Sequence, residues 1–132
     1  MIVFDESLRL GIEEMDAEHK TLVDMLNHLQ SLLKEGKRTE AMHYFNEVLL
    51  SYVETHLSHE EAFLEQIGYP ELESHKKIHE VFRKEVYRLA PHVESGDEKA
   101  FREALALAWG WLYNHISKTD RKYADWYRNQ AG

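Results

Sequence analysis

FNEVLLSYVETHLSHEEAFLEQI, residues 45–67, presents side chains at 45, 49, 52, 56, 60, 63 and 67 in steps of three and four, and all are apolar or aromatic except His56 and Glu60. That interval is the signature of one buried helical seam. Ile67-Gly68-Tyr69-Pro70 ends it, since Gly favours the helix C-terminal turn and Pro cannot continue the helix. A histidine and a glutamate four residues apart point within about 40° of each other. On an otherwise apolar seam they face the interior.

Reading outward, the same interval recurs at 19, 22, 26, 29, 33, at 72, 75, 79, 82, 86, 89 and at 101, 105, 108, 112, 115. The first helix is expected to begin after Asp16, an N-cap candidate, and to stop before Gly36; the second begins near Thr39. The third follows Pro70, weakens at Pro91 and ends at Gly96, and the fourth runs from Asp97 to about Arg128. Residues 1–15 lack helical spacing and are expected to form an extended arm. Connections this short make successive helices antiparallel neighbours. The expectation is an all-α fold: an up-down-up-down antiparallel four-helix bundle with an extended N-terminal arm, as a single domain over residues 1–132.

His19, His56, His75, His79 and His115 occupy seam positions otherwise held by Leu, Phe, Val or Ala. In an up-down bundle the start of the first helix, the end of the second, the start of the third and the later part of the fourth share one end. There His19, His56, Glu60, His75 and His79 fall within roughly 12 Å along the axis. His115 and Asp120 are five apart, about 140° on a regular α-helix, too far to converge. A π-type turn between Trp111 and Asp120 would bring the carboxylate round. A lone seam histidine is usually a hydrogen-bonded core residue. Five at matched depth with two carboxylates point instead to a pair of metal ions. His28 and His43 lie about 200° from their seams and are expected in solvent, as is His92 near a helix end. His59 flanks its seam as centrally as Glu60, so periodicity leaves its role open. The runs Glu13-Glu14 and Glu60-Glu61 read, Glu60 apart, as solvated faces.

Sixteen basic against 24 acidic residues give a formal charge of -8, which repels phosphate backbones and anionic membrane surfaces, so no nucleic acid partner is expected. With no cysteine there is no disulfide and no thiolate ligand. No apolar run approaches a membrane span and no signal-peptide pattern follows Met1, so the expected location is cytoplasmic, and the expected state a monomer.

His-x-x-x-Glu at 56–60, His-x-x-x-His at 75–79 and His-x-x-x-x-Asp at 115–120, with His19 in Asp16-Ala17-Glu18-His19-Lys20, resemble the haemerythrin family, specifically its single-domain bacterial members. Gly11-Ile12, Tyr69-Pro70, Trp111-Leu112 and Tyr123 extend the resemblance over essentially the whole chain. It implies a non-haem, oxo- or hydroxo-bridged di-iron centre. His75, His79 and His115 would hold one iron, His19 and His56 the other, and Glu60 and Asp120 would bridge them. It further implies reversible binding of dioxygen, as an oxygen carrier, store or delivery protein and not an enzyme, with Leu22, Leu57, Trp111, Leu112 and Ile116 lining the oxygen pocket. Leu57 stands where the family commonly has Phe. An oxygen- or redox-sensing module, and a di-iron peroxide or nitric oxide reductase, are the alternatives.

Overall fold

A computed structural model describes residues 3–131; Met1 and Ile2 of the expected arm, and Gly132 of the expected domain, lie outside the described residues. Four helices form an up-down-up-down bundle, and among the described residues there is no strand. Helix α1 is Glu13–Lys34. Helix α2 covers residues 38–67 as an α segment Arg38–Tyr44, a π turn Phe45–Leu49 and an α segment Leu50–Ile67. Helix α3 is Leu72–Glu94. Helix α4 covers residues 98–131 as Glu98–Asn114, a π turn His115–Thr119 and Asp120–Ala131. No helix among the described residues is long and apolar enough to cross a membrane.

The helix ends follow their local chemistry. Gly68 takes φ 72°, a left-handed conformation that strains any residue with a Cβ, and this lets Gly68 N–H reach the Glu65 carbonyl at 3.1 Å and Tyr69 N–H the Leu64 carbonyl at 3.0 Å. Gly36 and Gly96 close the ends of α1 and α3 with the same pair of bonds. Asp97 caps α4, its carboxylate accepting from Lys99 N–H at 3.0 Å and Ala100 N–H at 3.2 Å.

Three expectations are corrected. Helix α1 starts at Glu13, so Asp16 lies inside it. Its carboxylate accepts instead from Leu10 N–H at 2.8 Å and Gly11 N–H at 3.0 Å and ties the preceding chain to the helix. That chain is the arm outside the bundle's helices: it turns at Asp5, whose carbonyl accepts from Leu8 N–H, and it buries Leu8, Leu10 and Ile12. Pro91 does not weaken α3, which continues to Glu94; the proline sits in the last turn, so it removes only a single donor. The seams also drift. Leu32, Val53, Leu64 and Ala104 are buried where 33, 52, 63 and 105 were expected; on α2 the shift to later positions follows the π turn, whose extra residue moves the register.

Two apolar clusters position the site. One holds Leu22, Leu57, Phe82 and Leu112 with most of the bundle core; the other holds Met15, Leu64, Tyr69 and Tyr123, with Leu72 packed on it. On every helix the candidate ligands fall between a residue of one cluster and a residue of the other. The seven polar side chains are therefore sealed from water on both sides, and such burial is costly unless each finds a partner.

Candidate metal centre

All seven residues named from the sequence converge. His19, His56, Glu60, His75, His79, His115 and Asp120 are each buried, none more than 4% exposed. In α4 the backbone N–H of Asp120 donates to the carbonyl of His115, an i→i+5 bond, and this π turn brings the carboxylate under the imidazole as the five-residue interval requires.

Their donor atoms form two groups, Glu60 with His75, His79 and His115, and Glu60 and Asp120 with His19 and His56, each with ligand atoms within 4.8 Å of one another. Glu60 is common to both. Its Oε1 lies 2.7 Å from His75 Nε2, 3.0 Å from His79 Nε2 and 3.3 Å from His115 Nε2. Its Oε2 lies 3.6 Å from the Nε2 atoms of both His19 and His56. Asp120 divides in the same sense, Oδ1 standing 2.9 Å from His115 Nε2 and 3.3 Å from His75 Nε2, and Oδ2 3.2 Å from His19 Nε2.

Two further distances test the fit to metal ions. His19 Nε2 and His56 Nε2 are 3.1 Å apart, and His79 Nε2 and His115 Nε2 are 3.0 Å apart. Cis ligands of an ion bound at about 2.1 Å stand about 3 Å from each other, so the spacing is that of shared coordination spheres. Both Asp120 oxygens are buried without a well-directed hydrogen bond despite their close nitrogens, which a cation between the groups would resolve. Imidazole and carboxylate donors without sulfur suit iron, among other first-row metals.

The outward edges of two ligand rings are held by carboxylates. His56 Nδ1 lies 2.6 Å from Glu18 Oε1, and His79 Nδ1 lies 2.7 Å from Glu61 Oε2. Glu61 in turn accepts from Arg83 Nη1 at 3.1 Å, while Arg83 Nε donates to Glu54 at 3.0 Å. Such partners fix the tautomer so that Nε2 offers its lone pair inward. The reading of Glu61 as a solvated residue is thus corrected: its side chain is 19% exposed and braces His79. Glu18, Glu61 and Arg83 have no seam periodicity to announce them. The available signal is adjacency, since Glu18 precedes His19, Glu61 follows Glu60, and Arg83 lies one turn after His79. His59 is exposed and meets Glu18 Oε2 at 3.0 Å, outside the cluster, and His28, His43 and His92 are exposed.

Electrostatics follow from this packing. Burial disfavours charge on His19, His75 and His115, but the carboxylates of Asp120 and Glu60 close beside them outweigh it and push them up to about 9, 8 and 10. Burial likewise opposes ionisation of Glu60, yet the surrounding histidines hold its carboxyl well below the usual range. Tyr123 donates its hydroxyl to Glu60 Oε2 at 3.1 Å, and burial beside two carboxylates pushes the phenol well above its ordinary value.

Of the expected pocket residues, Leu22, Leu57 and Leu112 are buried in one cluster next to the site. Ile116 is buried in a separate small cluster with Leu8 and Val23. Trp111, half-buried, stacks on His115 with ring centroids 4.2 Å apart and on Phe82 at 4.0 Å, beside the three-histidine group.

Comparison with known proteins agrees with this geometry. A family profile described as the Hemerythrin HHE cation binding domain matches residues 10–127. A "Bacteriohemerythrin" of Stenotrophomonas maltophilia is 33% identical over 125 residues, 95% of this chain and 80% of that protein. One of Clostridium acetobutylicum is 31% identical over 129 residues, 95% of this chain and all (100%) of that protein. A "Myohemerythrin" of Theromyzon tessulatum is 31% identical over 120 residues, 91% of this chain and 88% of that protein. With that profile spanning nearly the whole bundle and its histidines and carboxylates gathered at one depth, the chain belongs to the haemerythrin family.

Proposed function

We propose that the chain, as a single domain, binds dioxygen reversibly at a bridged pair of iron ions. His75, His79 and His115 would hold one ion, His19 and His56 the other, and Glu60 and Asp120 would serve both. The observation that carries this reading is the division of each carboxylate, one oxygen toward each histidine group. Two ferrous ions, when held there, would supply the two reducing equivalents that the binding of dioxygen needs.

The chain's own residues then favour binding over turnover. Glu18 and Glu61 orient His56 and His79 from behind. Leu22, Leu57 and Leu112, each no more than 2% exposed, exclude water from the flank of the centre. Tyr123 keeps its proton and spends it on Glu60, so the nearest phenol steadies a bridge rather than delivering a proton. A reductase would need an acid facing the ligand side.

Repeated cycles of oxygenation and deoxygenation of the reduced protein test this reading. A visible absorption band should appear with oxygen and vanish when it is removed, cycle after cycle, with no net consumption of oxygen. Continuous consumption of oxygen or peroxide with an added reductant would assign the site to a reductase.

A further inference from the structure

On the outer face between α2 and α3 lies a groove of about 870 Å³ lined by Asn46, Glu47, Leu50, Glu54, Tyr87, Pro91 and Glu94 among others, none of them Lys or Arg. From Glu47 to His59 it follows α2 for about 18 Å, three turns of helix. Toward the other end it continues into a second depression of about 280 Å³ that shares Asn46, Glu47 and Glu94 and includes Ser95 and Gly96 at the C-terminus of α3. The two depressions lie outside the metal centre and the mechanism above does not use them.

The chemistry of the walls specifies a guest. Glu47, Glu54 and Glu94 are acidic; Glu54 is paired with Arg83, whereas among the described residues no salt bridge neutralises Glu47 or Glu94, in contrast to the exposed pairs Lys20 with Asp24 or Arg38 with Glu98. The Asn46 amide is oriented by its Nδ2 donating to the Ala90 carbonyl at 3.0 Å, which leaves Oδ1 a buried acceptor with no donor. A helix C-terminus adds partial negative charge at the same place. Exposed carboxylates and a helix C-terminus both ask for N–H donors and positive charge. Leu50, Ala90 and Pro91 between them offer a low apolar floor.

We propose that this groove is the docking site for a lysine- or arginine-bearing helical segment of a partner protein, its cations on the exposed carboxylates of Glu47 and Glu94 and its small apolar side chains on Leu50 and Pro91. At one end the guest meets His59, which shares the Glu18 carboxylate with His56, so the partner sits one carboxylate away from the metal centre.

The test uses the iron-loaded full chain and a fluorescent 14-residue amphipathic peptide with four lysines on one face and alanine and leucine on the other, titrated by anisotropy at physiological salt. Binding to the native chain should be weakened at least tenfold by Glu47→Gln with Glu94→Gln, and likewise by Ser51→Arg, which fills the groove with a like charge. Glu13→Gln with Glu14→Gln, the same charge change at the exposed start of α1, should alter it less than twofold. Unchanged iron content and circular dichroism verify that each variant is folded. Equal weakening by groove and control pairs would reduce the effect to net charge and overturn the assignment. So would the absence of binding, or displacement of the peptide by spermidine at equal charge concentration, which would make the groove a polyamine site.

Discussion

Glu60 and Asp120 contribute one oxygen each to two histidine groups, so the loss of a single nitrogen should disturb one ion first and the pair next. His56→Ala or His79→Ala is expected to prevent full iron loading, whereas His28→Ala and His43→Ala, both on exposed positions, should leave iron content unchanged. Iron analysis of the four purified variants checks this, and equal losses in all four would refute the seam assignment. Protonation offers a second test. In the metal-free protein His19, His75 and His115 have folded-state pKa values raised to about 9, 8 and 10 above an ordinary 6.5. Their contribution to stability is therefore complete below about pH 6.5 and is lost as pH rises through about 8 to 10. Urea midpoints of the metal-free protein should fall across that window. Ferrous ion must also displace these protons at pH 7, so loading should release protons to an indicator dye. A midpoint that rises from pH 7 to 10 would contradict the charge state assigned to the cluster.

At the scale of elements, the sequence is most informative where chemistry marks geometry. The interval from His115 to Asp120 demands a π turn if the two candidate ligands are to share a face that a regular helix denies them, and the turn is there. The π turn at Phe45–Leu49 leaves no such trace, since apolar side chains on a seam fit either winding closely enough. Asp16 misleads for a related reason: an aspartate before an apolar run caps a helix or, as here, grips the two backbone amides of the entering chain. Glu18 and Glu61 escape notice because an acidic residue beside a ligand looks like any solvated charge until the ring edges are in place. Asp97 is legible and correct. Asp97→Ala should remove both N-terminal bonds of α4 and cost about 1 kcal/mol, read from urea unfolding of the iron-loaded protein. No change would mean that water replaces the cap without loss.

At the scale of the whole molecule, the bundle places a polar centre between two apolar clusters, and the dryness of that setting is what the proposed function requires. Leu112 is 2% exposed and stands one turn before His115. Leu112→Gln should admit water and protons and shorten the life of the oxygenated form on the order of tenfold, with iron content preserved. An unchanged decay of the absorption band would place Leu112 away from the ligand. The central claim, that seven side chains gathered from four helices hold a bridged pair of ions, has a more direct test. Iron and protein are quantified together on the purified, iron-reconstituted chain, with zinc measured in the same sample. The account predicts two irons per chain with negligible zinc; one iron per chain, or zinc in its place, would contradict it.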